Sequence, residues 1–202
     1  MTHEDGTVFL IDDDAGVRDS LSLLLSLKNI STQPFASADS FLETYTPERS
    51  GCVLTDLRMP GMTGLELQTA MHQRHIELPI VVFTAHGDVA TARAALKNGA
   101  FDFLEKPVDE AMLLDVLRNA LRVDRERRTA SSSRSASDAR LERLTARERE
   151  ILALLAAGHQ NREIATQLGI SPRTVEVHKA RIMEKLECHS LAELIRMNLA
   201  AG

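Results

Sequence analysis

Four short apolar runs, Val8–Ile11, Cys52–Thr55, Ile80–Thr84 and Phe101–Leu104, are separated by stretches of helical periodicity, and no other feature restricts the fold so tightly. A weaker extended stretch, Ile30–Phe35, adds a fifth run. Near-continuous apolar runs suit parallel strands covered on both faces. The helical patterns at 15–28, 38–45, 64–74, 88–98 and 109–121 supply the crossovers. Pro34 has no N–H to give to a ladder, which places the weak run at a sheet edge. The expectation is an α/β unit, a five-stranded doubly wound parallel sheet.

The remainder of the chain reads differently. Helical patterns occupy 146–157, 161–168, 172–187 and 191–199, and no strand pattern accompanies them. Thr145 and Glu148 have the spacing of a helix-opening capping box, as do Ser190 and Glu193. Gly158 and Gly169 stop the first two helices, and Ser171-Pro172 opens the third with an N-cap and an N1 proline. This predicts a small all-α domain. Between the halves, RVDRERRTASSSRSASDAR begins as a helix extension and then loses every apolar side chain larger than alanine. It reads as a flexible linker, and is too short to favour a Ser/Arg-rich RNA-binding tract. The predicted organisation is therefore 1–123, a linker at 124–140, and 141–202.

At 202 residues the chain is long enough for two small cores. MTHEDGTVFL has no basic start or long apolar core, and no run approaches the ~20 residues of a membrane helix, so a soluble, cytoplasmic protein without a membrane partner is expected. Cys52 and Cys188 match no metal or redox spacing and read as reduced, packed thiols. His72 and His75 lack a third ligand and read as solvated. Residues 1–121 carry 18 acidic and 9 basic side chains, whereas 122–202 carry 11 and 15. An acidic half joined to a basic half suggests two jobs, with nucleic acid a candidate partner for the second.

In an open parallel sheet, ligands sit beyond the carboxyl ends of the strands. The first run ends in Asp12-Asp13-Asp14, the third in Asp56 and the fourth in Thr84, while Glu105-Lys106-Pro107 follows the fifth. Two carboxylates ~4 Å apart repel by ~4 kcal/mol at an effective dielectric near 20, so a cation is needed among them. Lys106 can neutralise one charge. Mg²⁺, which prefers one or two carboxylates with waters and phosphate oxygens, can take more. Such a site would hold a phosphoryl group in line with Asp56, its equatorial oxygens stabilised by Lys106 and the Thr84 hydroxyl.

VFLIDDDAGVRDSL, VLTDLRMPGMTGLEL, VVFTAHGD and FDFLEKP together resemble the receiver domain of bacterial response regulators, over essentially all of residues 5–122. The resemblance implies a flavodoxin/CheY-like fold, a sensor histidine kinase as donor and Asp56 as phosphoacceptor. It further implies Mg²⁺ held by Asp12, Asp13, Asp56 and the backbone carbonyl of Arg58. Thr84 and Phe103 would form the switch pair, with Lys106–Pro107 a cis peptide, and Arg58 and His86 would bear on phosphate lifetime. A haloacid-dehalogenase-type phosphatase fits less well. Its lysine precedes the Gly-Asp motif, whereas Lys106 follows Gly87-Asp88, and Asp-x-Asp-x-Thr is absent.

Residues 144–190 resemble the LuxR-type helix-turn-helix domain, through the LT-x-RE opening, NREIA and ISPRTVEVH. In the third helix Val175, Ile182 and Leu186 repeat at core spacing, with His178 on the same side as a packed histidine. Arg173, Glu176, Val177, Ala180, Arg181 and Glu184 are left on the opposite face, where a recognition helix meets the major groove. Ser171, Thr174 and Lys179 suit phosphate contacts. Glu176 repels phosphate but can accept from cytosine N4, and Ala180 can meet a thymine methyl. Leu191, Leu194, Ile195 and Leu199 give the last helix an apolar stripe, part of it available to a second copy. The whole is similar to the FixJ branch of LuxR/NarL-type response regulators. The resemblance implies a transcription factor, not a metabolic enzyme, that dimerises on phosphorylation and binds promoter DNA, with RNA polymerase a compatible further partner. The competing reading is an orphan regulator that binds DNA constitutively; the intact set of Asp12, Asp13, Asp56, Thr84 and Lys106 argues against it.

Overall fold

Successive strand side chains point to opposite faces of a sheet, so an uninterrupted apolar strand feeds two cores at once. That is how the first unit, Met1–Arg128, is organised in the computed structural model, which describes residues 6–85, 87–188, 190 and 193–195. Strands β1 (Thr7–Ile11), β2 (Ser31–Phe35), β3 (Gly51–Thr55), β4 (Ile80–Thr84) and β5 (Asp102–Glu105) form one sheet in the order β2-β1-β3-β4-β5. All pairs are parallel. Phe9, Ile11, Val53 and Val82 point to one side and meet Phe41 of α2 (Ala38–Thr44), Leu67 and Met71 of α3 (Gly64–Gln73) and Ala95 of α4 (Val89–Lys97). Val8, Leu10, Leu54, Val81 and Leu104 point to the other side. There they meet Leu21 and Leu25 of α1 (Ala15–Leu27) and Leu113, Leu114 and Leu117 of α5 (Glu110–Glu142). Each fully buried leucine contributes about 1.5–3 kcal/mol.

The doubly wound expectation therefore holds, and β2 with Pro34 is an edge strand paired only with β1. All five predicted runs match the observed strands to within a residue at each end. Helices α1–α4 open on side-chain caps from Asp14, Ser37, Thr63 and Asp88. All four caps lie in loops leaving the carboxyl end of the sheet, and those after β1, β3 and β4 start their helices beside the strands that carry the site.

The linker expectation requires correction. The serine-rich stretch is helical, the continuation of α5 to Glu142, and the first unit runs five residues beyond the predicted end at 123. The loss of large apolar residues does not end the helix, whose backbone continues to Glu142. No glycine or proline interrupts Glu110–Glu142, and its Ala, Arg and Glu are strong helix formers against which serine costs only ~0.5 kcal/mol.

The second unit, Thr129–Gly202, is helical where described. Helices α6 (Ala146–Ala156), α7 (Asn161–Leu168) and α8 (Pro172–Lys185) enclose Ile151, Leu152, Ile164, Val175, Ile182, Leu186 and Leu194. Gly169 adopts φ +65°, the left-handed turn between α7 and α8, and Ser171 accepts from the Thr174 N–H at 3.1 Å to start α8. Both predicted capping boxes contribute caps: that of Thr145 and Glu148 is complete, and Ser190 accepts from the Glu193 N–H. Of the predicted last helix, Leu191 and Leu199 lie outside the described residues, as does His86.

Candidate functional site

The carboxyl edge of the sheet gathers one acid from β1, one from β3 and one amine from the loop after β5. Lys106 Nζ lies 2.9 Å from Asp12 Oδ2 and 3.4 Å from Asp56 Oδ1, and 4.8 Å from the centre of the Phe83 ring. Asp12 is buried, with only 4% of its surface exposed, and the Asp56 side chain is 11% exposed, so both charges are largely withdrawn from water. Removing such carboxylates from water is costly unless each oxygen has a partner. Here each has one: the Asp14 N–H donates to Asp12 Oδ1, the Arg58 N–H donates to Asp56 Oδ2, and Lys106 serves the other two.

The neighbouring groups are sorted by the same geometry. Asp13 stands exposed on the loop after β1, while Asp14 is spent on capping α1, accepting from the Gly16 and Val17 N–H groups. Thr84 ends β4 wholly buried, and its carbonyl accepts from the Lys106 N–H at 2.8 Å. The Lys106–Pro107 peptide is cis. Phe103 is half-buried against the core that also receives α3 and α4. Arg58 is exposed, and its backbone N–H donates to Asp56 at 2.7 Å.

Among the described residues no three carboxylate, imidazole or thiol groups form a ready cation cage. Asp12 and Asp56 form a carboxylate pair bonded to one lysine, and Asp13 is exposed on the loop beside Asp12. The donor chemistry nevertheless fits a hard divalent ion of the Mg²⁺ type. Two converging, mostly buried carboxylates against a single ammonium leave a net negative charge, and such an ion needs few protein oxygens when water and phosphate complete its shell.

In the second unit α8 has two contrasting faces. Val175, Ile182 and the following Leu186 are fully buried, and His178 is half-buried on that side. Arg173, Glu176, Val177, Ala180, Arg181 and Glu184 are all exposed, with Val177 presenting 45% of its surface. Ser171 is exposed at the helix start, and Thr174 and Lys179 are half-buried at its flank.

Comparison with known proteins decides the family. Residues 8–118 match the model described as the response regulator receiver domain, and residues 142–198 match that of bacterial regulatory proteins, luxR family. The chain belongs to the two-component response regulators, in the FixJ branch. The transcriptional regulatory protein FixJ of Azorhizobium caulinodans is 44% identical over 96% of this chain and 92% of its own length. The solved response regulator StyR superposes with a TM-score of 0.87 at 41% identity, covering 96% of this chain and 98% of its own. Full-length FixJ from B. japonicum gives 0.60 at 40% identity, covering 98% and 97%.

Within this regulator, Gly64 bears on the pocket in a way that the reading of the sequence did not single out. A Cβ at Gly64 would lie 2.5 Å from the Asp56 carbonyl oxygen and 3.2 Å from the Leu57 Cα. The first turn of α3 thus packs directly under the backbone of Asp56. The second glycine of MPGMTG is the local signal in the sequence, but which backbone it approaches depends on the tertiary fold. No described helix is long and apolar enough to cross a membrane.

Proposed function

We propose that Asp56 accepts a phosphoryl group from a sensor histidine kinase, and that the acyl phosphate switches the chain's binding to promoter DNA in the cytoplasm. One observation carries the reading: Asp12 and Asp56 arrive on different strands and converge on Lys106 at the carboxyl edge of the sheet. An Asp56 oxygen forms the new bond to phosphorus while the phosphorus–nitrogen bond of the phosphohistidine breaks, its electron pair leaving with the imidazole nitrogen. A divalent cation held by Asp12, Asp13, Asp56 and the Arg58 carbonyl supplies neutralising charge when bound. Lys106 turns from the carboxylate pair to a phosphoryl oxygen, and the Thr84 hydroxyl donates to another. Thr84 moves inward, Phe103 follows, and the α4–β5 face becomes competent to dimerise. Beyond taking up this group and losing it to water, the chain turns over no metabolite.

On DNA, a dimer sets two α8 helices in successive major grooves. Arg173, Glu176, Val177, Ala180 and Arg181 meet base edges; Ser171, Thr174 and Lys179 meet phosphates. RNA polymerase is a partner compatible with this arrangement.

A small phosphodonor with Mg²⁺, applied to the wild type and to Asp56→Asn, tests the assignment. Acid-labile phosphate and a shift to dimer are expected for the wild type alone. Undiminished labelling of Asp56→Asn would remove the assignment. Equal dimerisation and DNA affinity with and without phosphate would favour a constitutive regulator.

A further inference from the structure

The Arg147-Glu148 pair of the LT-x-RE opening is not used by the site as described, yet it makes directional contacts to both α7 and α8. Arg147 Nη2 donates to the Leu168 carbonyl at 2.6 Å, at the last residue of α7 before the Gly169 turn. Glu148, only 4% exposed, accepts from the Thr145 N–H at 2.8 Å and from Lys185 Nζ at 2.7 Å, in the last turn of α8. Neighbouring residues in one turn of α6 thereby fix the end of α7 and the end of α8. Val175 and Ile182 of α8 and the following Leu186 attach it to this core by apolar contact. Apolar contact is non-directional and tolerates small rotations about the helix axis. A charge-assisted hydrogen bond with a buried acceptor does not.

We infer that Arg147, Glu148 and Lys185 form a brace that sets the rotation of α8, and hence which side chains reach base edges, making them positioning residues for sequence recognition. This rests on the reading of α8 as the recognition helix. Lys185 lies one turn beyond Arg181 at the flank of the exposed face, and its Nζ is engaged by the buried Glu148 carboxylate at 2.7 Å. It serves DNA binding through geometry rather than by touching phosphate.

The test uses the full chain, a duplex selected from a random pool by the wild type, and a shuffled duplex of equal length. Lys185→Met and Glu148→Gln should weaken binding to the selected duplex about tenfold, the scale of one lost base contact. Binding to the shuffled duplex should stay within about twofold, and the slope of log affinity against log salt should not change, because no phosphate contact is lost. Lys185→Arg, which keeps the charge and reach, should restore discrimination. Circular dichroism confines the comparison to folded protein. Equal weakening on both duplexes with the salt slope reduced by about one would make Lys185 a phosphate contact and overturn the brace. A lower unfolding temperature with both affinities unchanged would likewise overturn it, leaving a purely structural pair. Failure of the wild type to bind any duplex in a salt-dependent way would instead remove the recognition-helix reading, and the brace with it.

Discussion

Two single residues carry consequences out of proportion to their size. Gly64 lets α3 begin directly beneath Asp56, where any side chain would press on backbone, which cannot yield as a flexible side chain does. Gly64→Ala is expected to cost about 1–3 kcal/mol and to lower the rate of Asp56 labelling, because the displaced carbonyl belongs to the reacting residue. Urea unfolding and phosphodonor labelling of the same preparation separate the two effects. Unchanged labelling in a folded variant would show that the pocket tolerates the shift. Glu148 is the second residue. The Lys185 ammonium, followed by the Thr145 N–H, holds its carboxyl down to about 2, against burial that pushes the other way. A depressed folded value means that the stabilisation is complete above the ordinary carboxylate value of 4.5 and is lost as pH falls towards 2. The second unit should therefore loosen across that window, followed by the methyl signals of Ile151, Ile164 and Ile182. Glu148→Gln should be less stable at neutral pH and flatter through the window; an unaltered acid slope would assign the sensitivity to another group.

At the scale of elements, the end of α5 within the first unit is anchored by a carboxylate that the pocket does not use. Asp124 is 1% exposed, accepts from the Gly51 N–H at 2.9 Å, and pairs with Arg127 at 2.6 Å and Arg128 at 2.9 Å. Arg128 donates onward to the carbonyls of Pro47 and Arg49, and Arg127 to that of Glu77. Gly51 itself has no room for a side chain, since a Cβ would fall 1.8 Å from the Thr7 carbonyl oxygen. The start of β3, whose far end carries Asp56, is thus tied to α5. Asp124→Ala should destabilise the first unit by about 3 kcal/mol, with the urea m-value unchanged, because it strands two partly buried guanidinium groups and a buried N–H. A loss below about 1 kcal/mol would mean that water replaces the carboxylate. This clamp also shows where the sequence ceases to be legible. Strands, caps and the acids at strand ends follow local rules: apolar runs for β1, β3 and β4, a cap at Asp14, Thr63 or Ser171, a left-handed turn at Gly169. Their spacing alone brought Asp12, Asp56 and Lys106 to one edge. Asp124 in RVDRERR reads as one charge in a polar run, because the Gly51 N–H that it accepts from, and the Pro47 and Arg49 carbonyls that Arg128 reaches, are more than seventy residues away. The helical continuation of α5 was missed for a related reason: the vanishing apolar stripe reports packing, whereas helix propensity persists without it. The exposure of Asp13 was equally hidden: Asp12 is buried against Lys106 and Asp14 caps α1, while the residue between them faces solvent.

At the scale of the whole molecule, residues 1–121 carry a net charge of -9 and residues 122–202 one of +4, so DNA attracts one half and repels the other. Charge alone would make binding weak and non-specific, with an affinity that falls steeply as salt rises. A switch must therefore add free energy, and that addition is subject to linkage. If occupation of the Asp56 pocket by a non-covalent phosphoryl analogue such as beryllium trifluoride tightens binding to a selected duplex, the duplex must tighten binding of the analogue by the same factor. A tenfold effect corresponds to about 1.4 kcal/mol in either direction. The measurement titrates the analogue, with Mg²⁺, into the chain alone and into the chain saturated with duplex, at one protein concentration because dimerisation makes both affinities concentration-dependent. The two factors should agree, and both should vanish in Asp56→Asn. Analogue affinity unaffected by duplex, in a protein that still binds DNA, would mean that the pocket and α8 are energetically independent. The pocket chemistry would then serve some other output than DNA binding, and the constitutive reading would stand.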